Sequence, residues 1–218
     1  SEKTNGGEYN KEYLYSLNLF ETTSFSNEDS GRTKLYQIES KRISTQKQFT
    51  NEDDFLKNLK MASLIQPFNK FNTPRVAQLS QRSNQFNLRT VRYTDVDIDK
   101  ISNSKDFLTF AFTLEDKFGD NGLICVIILR KENKNILFID TWLMSCRVLK
   151  RGMENFVLNT IVHFAKENGF TTIKGEYIAT IKNDIVKDHY PNLGFEKSEI
   201  YFSLKVQNYQ DKKNYIKI

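Results

Sequence analysis

The pattern that most constrains the fold is an apolar strand, a long amphipathic helix and a second apolar strand between residues 136 and 178. Ile136–Leu143 and Thr171–Ile178 are rich in β-branched and aromatic residues, which favour strands. Gly152–Lys166 between them has apolar residues at helical spacing and is followed by Asn168-Gly169, a helix stop signal. A right-handed crossover of this kind makes the two strands parallel. The sequence therefore predicts a βαβ unit.

Further strands and helices flank this unit. Two strand-like stretches, Phe107–Leu114 and Leu123–Arg130, precede it with short turn-rich connections and predict an antiparallel meander. We expect four further elements: a strand Met61–Phe68, a helix starting at Thr73-Pro74, a helix Asn183–Tyr190 ended by Pro191, and a strand Glu199–Val206. The predicted fold class is α/β (α+β), with a mixed central sheet and flanking helices.

The first 60 residues differ from the rest because they are polar and contain helix-start signals. Ser26 is followed by acidic residues and predicts a helix over Asn27–Ser44, and Thr50 with Asp53 predicts a short helix ending near Lys60. We therefore expect a helical extension over 1–60, a domain over 61–206 and a polar tail over 207–218.

Composition excludes several functional classes. Lys plus Arg exceeds Asp plus Glu by 32 to 27, an excess too small and dispersed to indicate nucleic-acid binding. The sequence has no apolar run of membrane-spanning length and a polar N-terminus, so we expect a cytoplasmic protein without membrane association. Cys125 and Cys146 lack the spacing of a zinc site or a disulfide framework, and we expect no metal.

The segment that joins the strand to the long helix has the character of an anion site. Backbone N–H groups of Arg151, Gly152 and Met153 would point out of the helix N-terminus. The segment resembles the pyrophosphate loop of GNAT acetyltransferases, which has Arg or Gln, two residues, Gly, one residue, then Gly or Ala. Arg147 and Gly152 match this loop, whereas Lys150 replaces the first glycine, adding charge but also a Cβ.

A second stretch resembles the later half of the same superfamily. Asn183 is followed by Tyr190 and then by Leu193-Gly194-Phe195. The resemblance implies that Tyr190 protonates a departing thiolate, a role that suits a phenol; packing of the helix end is the alternative. It also implies that the strand edge before Ser145 aligns a thioester, with an oxyanion-stabilising N–H near Leu143 or Met144.

Several shorter strings resemble a narrower group, the C-terminal region of FkbH-like proteins. They are Arg75-Val-Ala-Gln-Leu, Ser83-Asn-Gln-Phe-Asn-Leu88, Arg92-Tyr-Thr94, Asp116-Lys-Phe-Gly-Asp-Asn-Gly122, Ser145-Cys-Arg-Val-Leu149 and Gly175-Glu-Tyr-Ile178. Full-length members resemble a haloacid-dehalogenase (HAD) subfamily IIIC phosphatase fused to a GNAT-like domain. They are associated with loading a glyceryl unit onto an acyl carrier protein, and related members occur in surface-polysaccharide loci.

The sequence lacks the strand-terminal Asp-x-Asp motif that such a phosphatase requires. Asp95-Val-Asp97-Ile-Asp99 follows Arg92-Tyr-Thr and not an apolar strand, so it predicts a solvated turn or helix start. The resemblance thus implies either a C-terminal fragment of such a fusion or a stand-alone variant, with residues 1–60 as the helical tail or linker that adjoins a missing HAD-type phosphatase domain.

Other polar side chains are candidates for the acyl pocket. Asn84, Gln85 and Asn87 end the first helix of the domain, on the acceptor side of the resembling fold, where amides could bind a polar acyl group or cap the helix. Glu176 is either a general base or a salt-bridge partner. Asp140, in mid-strand, is either solvent-facing or buried with a partner.

Two further residues have open roles. Cys146 beside Arg147 is either an acyl-relay nucleophile or an inert small residue. His189 either orients Tyr190 or lies on the surface.

We expect an acyltransferase that binds coenzyme A, acetyl coenzyme A or the phosphopantetheine arm of an acyl carrier protein and serves a small polar acceptor. Two rivals are a non-catalytic module that docks a carrier protein and a purely structural dimerisation domain. The expected coenzyme-binding residues are Leu143, Ser145, Arg147, Lys150, Arg151, Gly152, Met153 and Asn183.

Overall fold

The chain forms seven strands and six α-helices in the part that the structure describes. The computed structural model describes the backbone of residues 27–218 and side chains from Gln37 onward. It divides the chain into two units, Ser1–Ser44 and Thr45–Ile218. Ser26 and the other residues of the predicted extension before Asn27 lie outside the described range. In the first unit, helix α1 carries an ion pair between Arg42 and Glu39.

The elements follow the order that the sequence predicts, with two additions, a helix over Asp95–Asn103 and a strand over Glu196–Ser198. The helices are α1 Asn27–Gln46, α2 Glu52–Asn58, α3 Thr73–Arg82, α4 Asp95–Asn103, α5 Met153–Glu167 and α6 His189–Asn192. The strands are β1 Ile65–Gln66, β2 Phe107–Asp116, β3 Gly119–Lys131, β4 Ile136–Met144, β5 Thr172–Glu176, β6 Glu196–Ser198 and β7 Tyr201–Lys205. Short 3₁₀ turns span Cys146–Val148, Asp184–Val186 and Val206–Asn208.

The strands form one mixed sheet in the order β1-β2-β3-β4-β5-β7-β6. Strands β1 to β4 are antiparallel neighbours, as the meander predicts. Strand β5 pairs parallel to β4, from Ile136 with Thr172 to Ile139 with Gly175, which confirms the predicted crossover. A β6–β7 hairpin closes the sheet antiparallel to β5.

Apolar side chains cover both faces of the sheet, as the long apolar strands require. Helix α5 packs on one face, where Phe156, Val157 and Ile161 join a cluster with the β3 residue Ile127. Helices α3 and α4 pack on the other face, where Val76 contributes to a second cluster. The two clusters make the domain a three-layer structure with the sheet in the middle.

A β-bulge in β4 determines where the site forms. Ile128 of β3 pairs with Thr141 and Leu129 pairs with Ile139, so Asp140 has no partner across the β3 ladder. A bulge bends its strand and ends regular pairing nearby. The parallel pairing of β4 with β5 stops at Ile139 and Gly175, immediately before the bulge. Beyond that point the two strands diverge and leave a gap in the sheet.

Three local predictions are wrong in detail. The strand predicted over Met61–Phe68 is reduced to β1. Ala62 and Leu64 still bond to β2, but next to irregularities in the register of β2, and Pro67 has no N–H to extend the ladder at the other end. Helix α2 is capped by Asn51, whose side chain accepts from the Asp53 N–H at 2.8 Å, and not by Thr50. Pro191 lies inside α6 and does not end it, since a helix this short leaves its first N–H groups unpaired anyway.

The last residues of the chain contact the N-terminal end of the domain. Tyr209 and Ile216 are buried. The Lys217 N–H donates to the Met61 carbonyl at 3.0 Å, and the Ser63 N–H donates to the Lys217 carbonyl at 2.8 Å. The compact unit therefore includes residues 207–218, which the sequence suggests as a polar tail, and it begins at Thr45.

Candidate functional site

The gap between β4 and β5 is filled by a segment of the chain itself, Phe86–Leu88, which we name the plug. The Leu88 N–H donates to the Trp142 carbonyl at 3.2 Å, and the Met144 N–H donates to the Phe86 carbonyl at 3.0 Å. On the other side, the Ile178 N–H donates to the Leu88 carbonyl at 2.9 Å. The plug therefore acts as a short extra strand between β4 and the chain that follows β5.

Two asparagines hold the plug in place. The fully buried Asn183 side chain donates to the carbonyls of Asn87 and Ile178, each at 3.0 Å, and accepts from the Thr180 N–H at 2.7 Å. Asn87 accepts from the Thr90 N–H at 2.8 Å and donates to the Ser83 carbonyl at 3.4 Å. Both predicted site residues thus satisfy backbone groups of the loops on either side of the gap.

Arg89, directly after the plug, bridges the two diverging strands. Its Nη1 donates to the Asp140 carboxylate at 2.8 Å, and its Nε donates to the Glu176 carboxylate at 2.8 Å. The Tyr93 hydroxyl donates to the second oxygen of Asp140, and burial together with the Asp140 charge raises the pKa of Tyr93, so the phenol stays protonated. Glu176, a candidate base, is a salt-bridge partner in this conformation, and Asp140 is half-buried with two partners.

The rings of His189, Trp142 and the plug residue Phe86 form a cluster. The His189 ring lies edge-on to Trp142, with centroids 4.4 Å apart, and to Phe86, 5.0 Å apart. Burial lowers the pKa of His189 to about 3, so its imidazole is neutral at physiological pH. Within the described part of the chain, its Nε2 has no hydrogen-bond partner. His189 is therefore an interior residue of the site.

Tyr190, the predicted proton donor, is also interior. A Cβ built on Gly175 would lie 2.3 Å from the Tyr190 ring, so the ring rests directly on the backbone of β5. Burial raises the pKa of Tyr190, and the phenol stays protonated. The Glu176 N–H lies near its hydroxyl, but the contact lacks hydrogen-bond geometry. The hydroxyl is buried in the described conformation, so a thiolate does not reach it without a rearrangement of the site.

The loop before α5 has the backbone shape of an anion cradle. Gly152 has φ 77° and caps α5, and Lys150 has φ 63°, a left-handed conformation that glycine adopts at lower cost. The Glu154 side chain lies in the first turn of α5 near the N–H groups of Glu154 and Lys150, and burial raises its pKa. An acidic side chain of the chain therefore lies beside the helix N-terminus where an external anion would bind.

The two arginines of the loop point away from this cradle. The buried Arg151 guanidinium donates to the Arg147 carbonyl at 2.6 Å and contacts the Asp116 carboxylate at 3.4 Å. Arg147 is exposed, and its Nε donates to the Ser145 Oγ at 3.3 Å. Arg151 could therefore contribute only its backbone N–H to the cradle. The Arg147 side chain lies away from the cradle.

Two cavities adjoin the plug, and Phe86 lines both. The larger, of about 830 Å³, lies beside α3 and is lined in part by Asn84, Gln85 and Arg147. The smaller, of about 410 Å³, lies beside the N-terminus of α5 and is lined in part by Lys150. The exposed Cys146 also lines the larger cavity. Phe86 is thus the plug residue that the two cavities share.

The sheet order, the bulge and the gap define the GNAT fold. The ribosomal-protein-S18-alanine N-acetyltransferase from Escherichia coli is similar in structure, with a TM-score of 0.51 and 13% identity over 66% of this chain and 94% of that one. The GNAT domain of S. lividans PAT has a TM-score of 0.52 and 12% identity over 67% and 97%. Aminoglycoside acetyltransferase AAC(6')-Ib, solved with coenzyme A, has a TM-score of 0.50 and 14% identity over 67% and 96%.

At these identities the similarity establishes the fold and no more. No protein-family model matches the chain, and no curated protein matches it in sequence. No helix in residues 27–218 is long and apolar enough to cross a membrane. The same described residues contain no cluster of His, Cys, Asp or Glu that could hold a metal ion.

Sequence reasoning missed three functional features. The plug depends on pairing between residues about 55 apart, which no local pattern reveals. Arg89 adjoins the Asn84–Asn87 motif, but its two partners lie in different strands. Glu154 lies in the first turn of α5, and an acidic residue at this position is the sequence signal that could have predicted its place beside the helix N-terminus.

Proposed function

We propose that the domain binds an acyl group carried as a pantetheine thioester, on coenzyme A or on a carrier protein, and transfers it to a polar acceptor. The observation that carries this proposal is the edge of β4 beyond the bulge. The Trp142 carbonyl and the Met144 N–H both point into the gap, where the plug now pairs with them. A ligand chain can pair with this edge by strand addition, with one of its amide N–H groups donating to the Trp142 carbonyl and its thioester oxygen accepting from the Met144 N–H.

In the described conformation a thioester does not fit, because the plug occupies the strand edge. The Glu154 carboxylate also lies beside the start of α5, where its charge would repel phosphates. Binding therefore requires the plug to withdraw and Glu154 to swing out or take up a proton. The raised pKa of Glu154 makes the neutral form more accessible.

Once the plug has withdrawn, residues on both sides of the gap have distinct roles. Lys150 and the N–H groups of α5 face phosphates from the smaller cavity. The Met144 N–H, released from Phe86, becomes a donor for a developing oxyanion. The bound thioester supplies the activated acyl group. Tyr190, protonated because burial raises its pKa, holds the proton for a leaving thiolate.

The biological setting follows from the resemblance to FkbH-like proteins. We propose a cytoplasmic role in polyketide-extender or surface-polysaccharide biosynthesis, with an acyl or glyceryl group as cargo. The partners would be an acyl carrier protein and a HAD-type phosphatase domain. Ser145, at the end of β4, would lie beside the thioester end of the carrier arm.

A second candidate function is a non-catalytic module that docks a carrier protein. The plug favours it, because it occupies the strand edge that free coenzyme A would need. The two functions differ in one respect: only the transferase opens its gap.

Calorimetry and thiol release separate these functions. We expect Phe86→Ala to bind acetyl coenzyme A at least tenfold more tightly than the wild type, because it removes the buried side chain that anchors the plug and so makes the plug easier to withdraw. Phe112→Ala is the matched control, since it truncates an equally buried phenylalanine outside the gap. Circular dichroism verifies that both variants are folded, and Phe86→Val replaces Phe86→Ala if needed.

The outcomes assign the function directly. Thiol release with an amine or hydroxyl acceptor, reduced in Tyr190→Phe, supports the transferase. A carrier arm that binds without any thiol release supports the docking module. If neither acetyl coenzyme A nor a carrier arm binds the wild type or Phe86→Ala, both proposals fail.

A further inference from the structure

The larger cavity has a composition that the thioester site does not require. It is bordered by α3, by the loop after β4 and by the loop after β5. Its volume of about 830 Å³ is in the range of small-molecule sites. Phe86 and Met144 form its inner end, so a ligand in this cavity would lie directly against the reacting end of the gap.

Four cationic side chains line this cavity from three separate segments of the chain. Arg75 and Arg82 come from α3, two turns apart, Arg147 from the loop after β4, and Lys182 from the loop after β5. None of the described residues that line the cavity is acidic. A cleft lined by charges of one sign concentrates the field and attracts ions of the opposite sign.

Two of the guanidinium groups donate to neutral side chains. Arg75 donates to the Gln78 side chain, and Arg147 donates to Ser145 at 3.3 Å. Arginine matches carboxylates and phosphates through paired hydrogen bonds, and a positioned side chain loses less entropy when it binds. The Asn84 and Gln85 amides add donors and acceptors for hydroxyl or carbonyl groups on the same ligand.

We infer that the larger cavity binds a small anionic acceptor, one that carries a carboxylate or phosphate group beside the hydroxyl or amine that receives the acyl group. The identity of the ligand as an acceptor rests on the proposed function. Binding of the anion rests only on the cavity. Anion binding is therefore measured in the absence of any thioester.

The test is calorimetric titration of the full chain with glycerol 3-phosphate, with succinate and with the neutral control glycerol. We expect saturable binding of at least one anion and none of glycerol. The double variant Arg147→Gln/Lys182→Gln should weaken anion binding about tenfold or more, because each lost charge-assisted hydrogen bond contributes roughly that factor. The matched double variant Lys100→Gln/Lys134→Gln removes the same charge from exposed positions that do not line the cavity, and should bind like the wild type.

Three results would overturn the inference. They are no binding of either anion, an equal loss in both double variants, and displacement of the bound anion by acetyl coenzyme A, which would make the cavity a coenzyme phosphate site. A phosphate preference over succinate, or the reverse, identifies the anionic group of the acceptor. Anion binding without thioester binding would contradict the proposed function alone, and thioester binding without anion binding would contradict this inference alone.

Discussion

His189 should make the domain acid-sensitive in a defined pH window. Burial against Trp142 and Phe86 lowers its pKa to about 3, whereas an unfolded histidine has a pKa of about 6.5. Between these values the unfolded chain binds a proton that the folded chain does not, so stability falls as the pH falls. The stability is complete above pH 6.5 and is lost progressively towards pH 3.

The size of the effect follows from the two pKa values. Each pH unit in the window is equivalent to about 1.4 kcal/mol, so lowering the pH from 8 to 5 removes about 2 kcal/mol through His189. For a domain the size of Thr45–Ile218, this corresponds to a fall in melting temperature of about 4 to 8 °C.

Differential scanning calorimetry of the wild type and His189→Phe at pH 8 and pH 5 measures this contribution. The variant keeps an aromatic ring in the cluster but cannot take up the proton, so its melting temperature should fall by about 4 to 8 °C less than that of the wild type. His163→Phe, at a half-exposed position on α5, is the control and should follow the wild type. Equal losses in the wild type and His189→Phe would refute the assignment of this sensitivity to His189.

Three further substitutions test the packing of the site. Gly175→Ala should destabilise the fold by about 1 to 3 kcal/mol in urea unfolding, because the added Cβ would lie 2.3 Å from the Tyr190 ring; an unchanged midpoint would contradict that packing. Asn183→Ala should cost about 2 to 4 kcal/mol, since it leaves the buried Asn87 carbonyl and two part-buried backbone groups unpaired, whereas a cost below 0.5 kcal/mol would show that they pair otherwise. Glu154→Gln should be more stable than the wild type at pH 8 and equal to it below pH 4.5. The reason is that a carboxyl whose pKa is raised in the folded state destabilises the fold only where it is ionised. A difference in stability that stays constant with pH would exclude this cause.

The sequence predicts the βαβ unit and the meander because these depend on local periodicity and on the handedness of crossovers. Strands β2, β3 and β4 begin or end within a few residues of their predicted limits. The β6–β7 hairpin was predicted as one strand, because Glu196–Ser198 is polar and exposed and has no strand-like pattern.

The site was less predictable because its geometry depends on contacts between distant segments. The sequence places Lys150 and Gly152 at the head of a helix, and the structure has them there. It does not show that the Glu154 carboxylate turns back onto that helix end, or that Phe86–Leu88 pairs with β4. The coenzyme and substrate roles of the predicted residues remain predictions.

The central claim is that a thioester replaces the plug on the edge of β4. Hydrogen exchange of the Leu88 and Met144 amides, with and without saturating acetyl coenzyme A or an acetylated carrier arm, tests it most directly. Both amides donate to backbone carbonyls in the described conformation and should exchange slowly without ligand. We predict that the thioester accelerates exchange at Leu88, which loses the Trp142 carbonyl, and leaves Met144 protected by its new partner. Unchanged protection of Leu88 at saturation would contradict the claim.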